Sequence, residues 1–259
     1  MSIFRKMREG FEGRLREIQD KARAGAVELM NELFDHLRQI GVNGTVHVAE
    51  SVPETKGGML VGSVVGRVKI ENRNIDSVQV ETVHPGGWVI GDESNRVPFN
   101  VFNYHYVVQA NVEGLENRLN AEVKPITKGF LSKEVVDFRW EGGELAQRLN
   151  ADSELRNMLL REGLDKLPNI EVRPHQKPRN VPGIGRPPQD FLEAQASFKQ
   201  CVRITKRPKI PSNSEAHQMF VVPGIPVWER KVGAELPTQE TFETYERIAQ
   251  HIHNIMKTE

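Results

Sequence analysis

A single cysteine, Cys201, stands in 259 residues. Its isolation excludes an intrachain disulfide and any zinc site built on paired thiolates, and it fits a reducing compartment. No window approaches the roughly 18 consecutive apolar residues that a membrane-crossing helix needs. A basic start (Arg5, Lys6, Arg8) is followed by no unbroken apolar segment, which argues against a secretory leader. An excess of one charge is lacking too. Lys+Arg and Asp+Glu both number 35, so overall electrostatics singles out neither a nucleic acid nor a membrane. Also missing are the Gly-x-Ser-x-Gly elbow, a phosphate loop with its Lys-Ser/Thr pair, and a complete dinucleotide fingerprint. Gly183-Ile184-Gly185 lacks the third glycine and the following helix. No repeat of fixed period occurs. The expectation is a cytoplasmic protein without cofactor or metal.

What is there starts with the first forty residues. Apolar side chains recur every three or four positions: Phe4, Met7, Phe11, Leu15, Ile18, Ala22, Ala26, Leu29, Leu33, Leu37 and Ile40. Charges fill the gaps and no proline intervenes. This predicts one long amphipathic helix with coiled-coil-like spacing. At 1.5 Å per residue it would reach about 60 Å, more than a small domain is wide. Gly10, Gly13 and Gly25 each weaken it by about 1 kcal/mol relative to alanine, so it needs support from another surface. Phe4, Phe11, Leu15, Ile18, Leu29, Leu33 and Leu37 are the self-association candidates. Packing across its own sheet and lying on an anionic membrane through Arg5, Lys6, Arg8, Arg14, Arg16, Lys21 and Arg23 are the competing readings.

Gly41 and Asn43-Gly44 end the helix. Strand-like segments follow at 45–49, 59–70, 75–83, 101–112 and 130–140. The clearest is 101–112, where Phe102, Tyr104, Tyr106, Val108, Ala110 and Val112 alternate with Asn103, His105, Gln109 and Asn111. Such alternation predicts antiparallel pairing with one buried face and one wetter face. Short helices are predicted at 143–149 and 153–162, with Asn150 and Asp152 as cap residues and Gly163 as terminator. Residues 168–188, with six prolines, read as an extended connector and a domain boundary, or as a loop crossing one domain. Strands resume at 196–205, 217–222 and 225–232. A helix with Thr238 as N-cap and a stripe of Phe242, Tyr245, Ile248, Ala249, Ile252, Ile255 and Met256 ends the pattern.

Histidines are the first residues to test for chemistry. His251 and His253 point about 200° apart on a helix, so one metal cannot take both. His84 in His-Pro-Gly-Gly-Trp, with Asp92 as orienter, could act as a general base, and His105 has polar neighbours on its own strand face. His84, Asp92 and His105 are therefore the catalytic candidates, beside the blander reading of turn and sheet-surface residues. Cys201 lies between Lys199 and Arg203, which would favour a thiolate, but a lone cysteine in a strand ordinarily packs. Glu144 reads as a helix-start residue and Glu141 as its neighbour across Gly142-Gly143. The strongest local charge is basic: Arg179, Arg186, Lys199, Arg203, Lys206, Arg207 and Lys209, with only Asp190 and Glu193 against them. They are candidates for an anionic surface, lipid or nucleic acid. Only Phe191 and Phe198 interleave, so a base-stacking platform is poorly supported.

These signs predict an α+β fold: a mainly antiparallel twisted sheet, or two packed sheets, with the long N-terminal helix (1–40) set against a composite domain (41–259). The function they favour is a non-catalytic intracellular scaffold or binding protein that self-associates into a homo-oligomer through its first helix. The alternatives are an enzyme at His84, Asp92 and His105, and a peripheral membrane or nucleic-acid binder.

Overall fold

The computed structural model describes residues 24, 27–48, 64–90, 97–129, 134–161, 163, 170–174, 201–206, 231–232 and 236–258; for 64, 82–90, 97–102 and 231–232 it describes the backbone alone. Within them the chain is α+β. Helix α1 covers 27–39. Strands β1 (Gly44–Val48), β2 (Val64–Ile70), β3 (Ser77–Ile90), β4 (Val97–Gln109), β5 (Ala121–Lys128) and β6 (Glu134–Gly142) follow. Helices α2 (Glu144–Ala151) and α3 (Ser153–Arg161) come next, then β7 (Ile170–Pro174), β8 (Cys201–Lys206), β9 (Lys231–Val232) and helix α4 (Gln239–Met256).

The strands form one sheet, not two, in the order β1-β2-β3-β4-β8-β7-β5-β6, antiparallel throughout. The two-residue β9 pairs with β4 in parallel. The predicted forty-residue helix is described only over 27–39, and Phe4, Phe11, Leu15 and Ile18 lie outside the described residues. The stretch read as a connector opens with β7, a central strand whose Ile170 and Val172 are fully buried. One sheet therefore runs through residues on both sides of it. Residues 175–188 and 217–230 lie outside the described residues.

Alternation decides which face is which. Val46, Val68, Val78, Tyr106, Ile204, Val172, Ala121 and Gly142 are successive cross-strand partners, one apolar or small residue on each of eight strands. Directly opposed residues share a face, so this row marks the core side. All four helices contribute to that core: Leu29, Met30, Leu33 and Leu37 from α1, Leu145 and Leu149 from α2, Leu155 and Leu159 from α3, and Phe242, Tyr245, Ile248, Ala249, Ile252 and Ile255 from α4. Tyr106 packs against Tyr245 with ring centroids 4.3 Å apart. At Gly66, a β-bulge in β2, an added Cβ would stand 2.7 Å from the His47 carbonyl oxygen and 2.9 Å from Met30 Sδ. Only glycine lets α1 approach so closely.

Helix α4 is the clamp. Thr238 caps it by accepting a hydrogen bond from the Thr241 N–H. Glu246 is buried and accepts from the backbone N–H of Asn74 (2.9 Å) and of Ile75 (3.0 Å), closing the turn between β2 and β3. His253 Nε2 donates to the Asn74 carbonyl at 3.0 Å. On the other flank, Arg247 grips Asp152 with two hydrogen bonds (2.6 and 2.9 Å), and His251 Nε2 donates to it at 2.7 Å. Asp152 also caps α3 through the N–H groups of Glu154 and Leu155. The two helix histidines thus serve separate structural contacts. Asn150 instead ties α2 to β6 through both backbone polar groups of Trp140.

Candidate functional site

The sheet's other face carries a second row, offset by one residue on every strand. His47, Arg67, Gln79, His105, Thr205, Glu171, Glu122 and Glu141 are successive cross-strand partners. Every member is polar. A sheet that merely met solvent would leave such groups hydrated, but here the middle of the row is dry. Gln79 is fully buried and His105 is 7 % exposed. Neither amide atom of Gln79 has a hydrogen-bond partner, and Asn103 Oδ1 is likewise buried and unpartnered. Such groups cost free energy unless something pairs with them.

A recess of about 700 Å³ opens on this face across β4, β8, β7, β5 and β6. Its lining includes Asn103, His105, Glu122, Lys124, Glu141, Glu171, Arg173, Arg203 and Thr205. Strand pairing brings these residues together from five separate strands. His105 is held at both ring nitrogens. Nδ1 lies 2.7 Å from Thr205 Oγ1. Nε2 lies 2.9 Å from Glu81 Oε2, close but off the axis of an aligned hydrogen bond. With the Nε2 proton toward the carboxylate, Nδ1 accepts from the threonine hydroxyl. Arg203 Nη1 donates to the same Glu81 oxygen at 3.3 Å. Hydroxyl, imidazole, carboxylate and guanidinium thus form one connected group at the recess.

Further out, charges pair along each strand. Lys124 Nζ meets Glu122 at 2.6 Å, Arg139 Nε donates to Glu141 at 2.7 Å, and Arg173 pairs with Glu171. Cys201 is buried on this same face, beside Val107. Burial pushes its thiol up to about 11, against the pull of Arg203, so it stays protonated and packs. Among the described residues no three His, Cys, Asp or Glu side chains group so as to hold a metal ion.

Of the three catalytic candidates, only His105 lines the recess. His84 falls on β3 opposite Val101 between two register shifts, where the backbone alone is described, and Asp92 lies outside the described residues. Of the anion candidates, Arg203 lines the recess and Lys206 ends β8; Arg179, Arg186, Lys199, Arg207 and Lys209 lie outside the described residues. Leu29, Leu33 and Leu37, expected to be available for self-association, are buried in the chain's own core at 4 %, 0 % and 0 % exposure. Sequence reasoning missed Glu81, Glu171, Thr205 and the glutamate succession. Parity along each strand was a usable signal, but the register between strands was not. Glu141 and Glu144, grouped by sequence, part company: Glu144 starts α2 and pairs with Arg118 and Arg148, while Glu141 faces the recess. No helix among the described residues is long and apolar enough to cross a membrane. No protein-family model matches the chain, and no curated protein or solved structure does.

Proposed function

We propose that this chain is a non-catalytic binding protein that holds a small polar ligand on the polar face of its sheet, opposite the described helices. The observation that carries this reading is the recess itself, with His105, Arg203 and Asn103 in its lining and the Asn103 Oδ1 atom buried without a partner. Pockets with a few convergent polar groups are the usual form of a ligand site. Native mass spectrometry of the full chain after exposure to a metabolite extract tests it. A bound small molecule, lost on combined His105→Ala and Arg203→Ala substitution, is the expected result. Protein that stays empty refutes the reading.

Self-association belongs to the same proposal, now resting on Phe4, Phe11, Leu15 and Ile18 as the outer part of a long coiled-coil-like helix. Because Leu29, Leu33 and Leu37 are core residues, the informative deletion stops at residue 26. Solution mass should fall from an oligomer to a monomer when 1–26 are removed. A monomeric full chain ends that half of the proposal. Cytoplasmic placement follows from the lone cysteine. Contact with an anionic membrane or nucleic acid, through the basic segments, is the competing partner; salt-sensitive binding to anionic vesicles or DNA by the full chain would favour it.

An enzyme is the second reading, and the Thr205–His105–Glu81 group favours it. A hydroxyl hydrogen-bonded to an imidazole that faces a carboxylate is the arrangement used for nucleophilic catalysis. Turnover of activated esters by the purified chain, abolished by His105→Gln and retained by Thr205→Ser, would replace the binding reading with this one.

A further inference from the structure

Resting on the binding reading, we infer that the recess takes a small zwitterion, its ammonium over the row of glutamates and its carboxylate over the adjacent Arg173–Arg203 pair. Directly opposed residues interact most strongly in an antiparallel sheet, and like charges there are destabilising. A face selected for stability alone would set glutamate opposite lysine or arginine. Here like faces like at four neighbouring positions. Glu171 opposes Glu122, and Glu122 opposes Glu141. Arg173 opposes Arg203, and Lys124 opposes Arg139. Charge is sorted into stripes that cross the strands. Because β5 and β7 are antiparallel, Lys124–Arg139 and Arg173–Arg203 fall on opposite sides of the glutamate row; the Arg173–Arg203 pair is adjacent to it, two residues away along β7, or about 7 Å. The glutamate row and the Arg173–Arg203 pair both line the recess.

Within the free protein Arg173 pairs with Glu171 and Lys124 with Glu122 along their own strands, while Arg203 pairs with Glu81 of β3. Those contacts are at least partly solvated, so each contributes little, and a ligand carrying both signs replaces them without leaving a charge uncompensated. A simple anion or cation would satisfy one stripe and face repulsion from the other. The unpartnered Asn103 Oδ1 and the fully buried, unpaired amide of Gln79, next to His105 in its row, are independent signs that this face has polar capacity the protein itself does not fill. The stripe spacing favours a linear ω-amino acid over an α-amino acid, whose two charges sit too close together to reach both rows.

The test is calorimetric titration of the full chain with δ-aminovalerate, set against pentanoate and pentylamine, which carry one charge each, and glycine, which carries both too close. The expected result is binding of δ-aminovalerate at least about tenfold tighter than any of the three. Glu122→Gln and Arg173→Gln should each abolish that preference while the thermal midpoint holds or rises, since each removes like-charge repulsion. A purely structural role predicts the opposite: a lowered midpoint and unchanged binding. Equal affinity for pentanoate or pentylamine overturns the inference, as does binding indifferent to both substitutions. If δ-aminovalerate does not bind but native mass spectrometry finds another occupant, this inference falls and the binding reading stands. A recess empty in both experiments ends both.

Discussion

Asp152 joins three elements with one carboxylate. Its side chain is 6 % exposed. Burial alone would raise its pKa, but hydrogen bonds from Arg247, His251 and the Leu155 N–H outweigh that and hold the carboxyl well below the usual range. A group depressed in the folded state stabilises above its unfolded pKa and loses that contribution as the pH falls toward the folded one. The contribution should therefore be complete above about pH 5 and decline below about pH 4. Asp152→Asn should cost roughly 2–3 kcal/mol in denaturant unfolding at neutral pH, between the limits for exposed and buried pairs. It should also flatten the acid limb of the stability profile; an unchanged limb would show that other carboxylates govern it. Gly66→Ala puts a methyl group against Met30 Sδ and the His47 carbonyl. Overpacking of this kind should cost about 1–3 kcal/mol, read from the urea midpoint.

Helix α1 contributes four of its side chains to the core, with Leu33 and Leu37 fully buried. Leu33→Ala should destabilise by about 2–5 kcal/mol, whereas an alanine at exposed Val27 should change little. Calorimetry on the two variants checks the contrast. The elements most visible in the sequence were those with a clean period. Alternation located β4, and the cap at Thr238 with its apolar stripe located α4. Strand β5 was missed because its sequence, Ala-Glu-Val-Lys-Pro-Ile-Thr-Lys, carries Pro125 and two lysines, and only Ala121 and Val123 are buried. Strand β7 was hidden in a proline-rich stretch, though Ile170, Val172 and Pro174 alternate with Glu171 and Arg173. Five residues are too few for periodicity to speak; burial by neighbours on both sides makes them a strand. The wetter face of β4 was also misjudged, since His105 and Val107 are buried there.

The sheet as a whole explains why its site was illegible. Each strand announces which side chains share a face, but not which strand lies beside it. Glu122, Glu141 and Glu171 become neighbours only through the order β7-β5-β6, and that order depends on long-range packing that no local pattern encodes. His105 was singled out for its polar neighbours along the strand, whereas its partners Glu81 and Thr205 come from β3 and β8. The same topology predicts how opening is distributed. Strand β4 is flanked by β3 and β8 and covered by α4, so its Tyr104–Val108 amides should exchange at the rate of global unfolding. Those of edge strand β1 should exchange faster by subglobal opening. Equal protection in hydrogen-exchange mass spectrometry would contradict this.

Because the clamp helix carries much of the core and locks both the β2–β3 turn and the α2–α3 elbow, the nascent chain meets a timing problem at the ribosome. Until residue 256 clears the exit tunnel, Tyr106 and the aliphatic side chains around it have no lid, and the part of the sheet under this helix waits with its greasy side uncovered. Release of a product that stops before residue 239 should yield a species that holdase chaperones retain and proteases remove, whereas one reaching residue 258 should escape both.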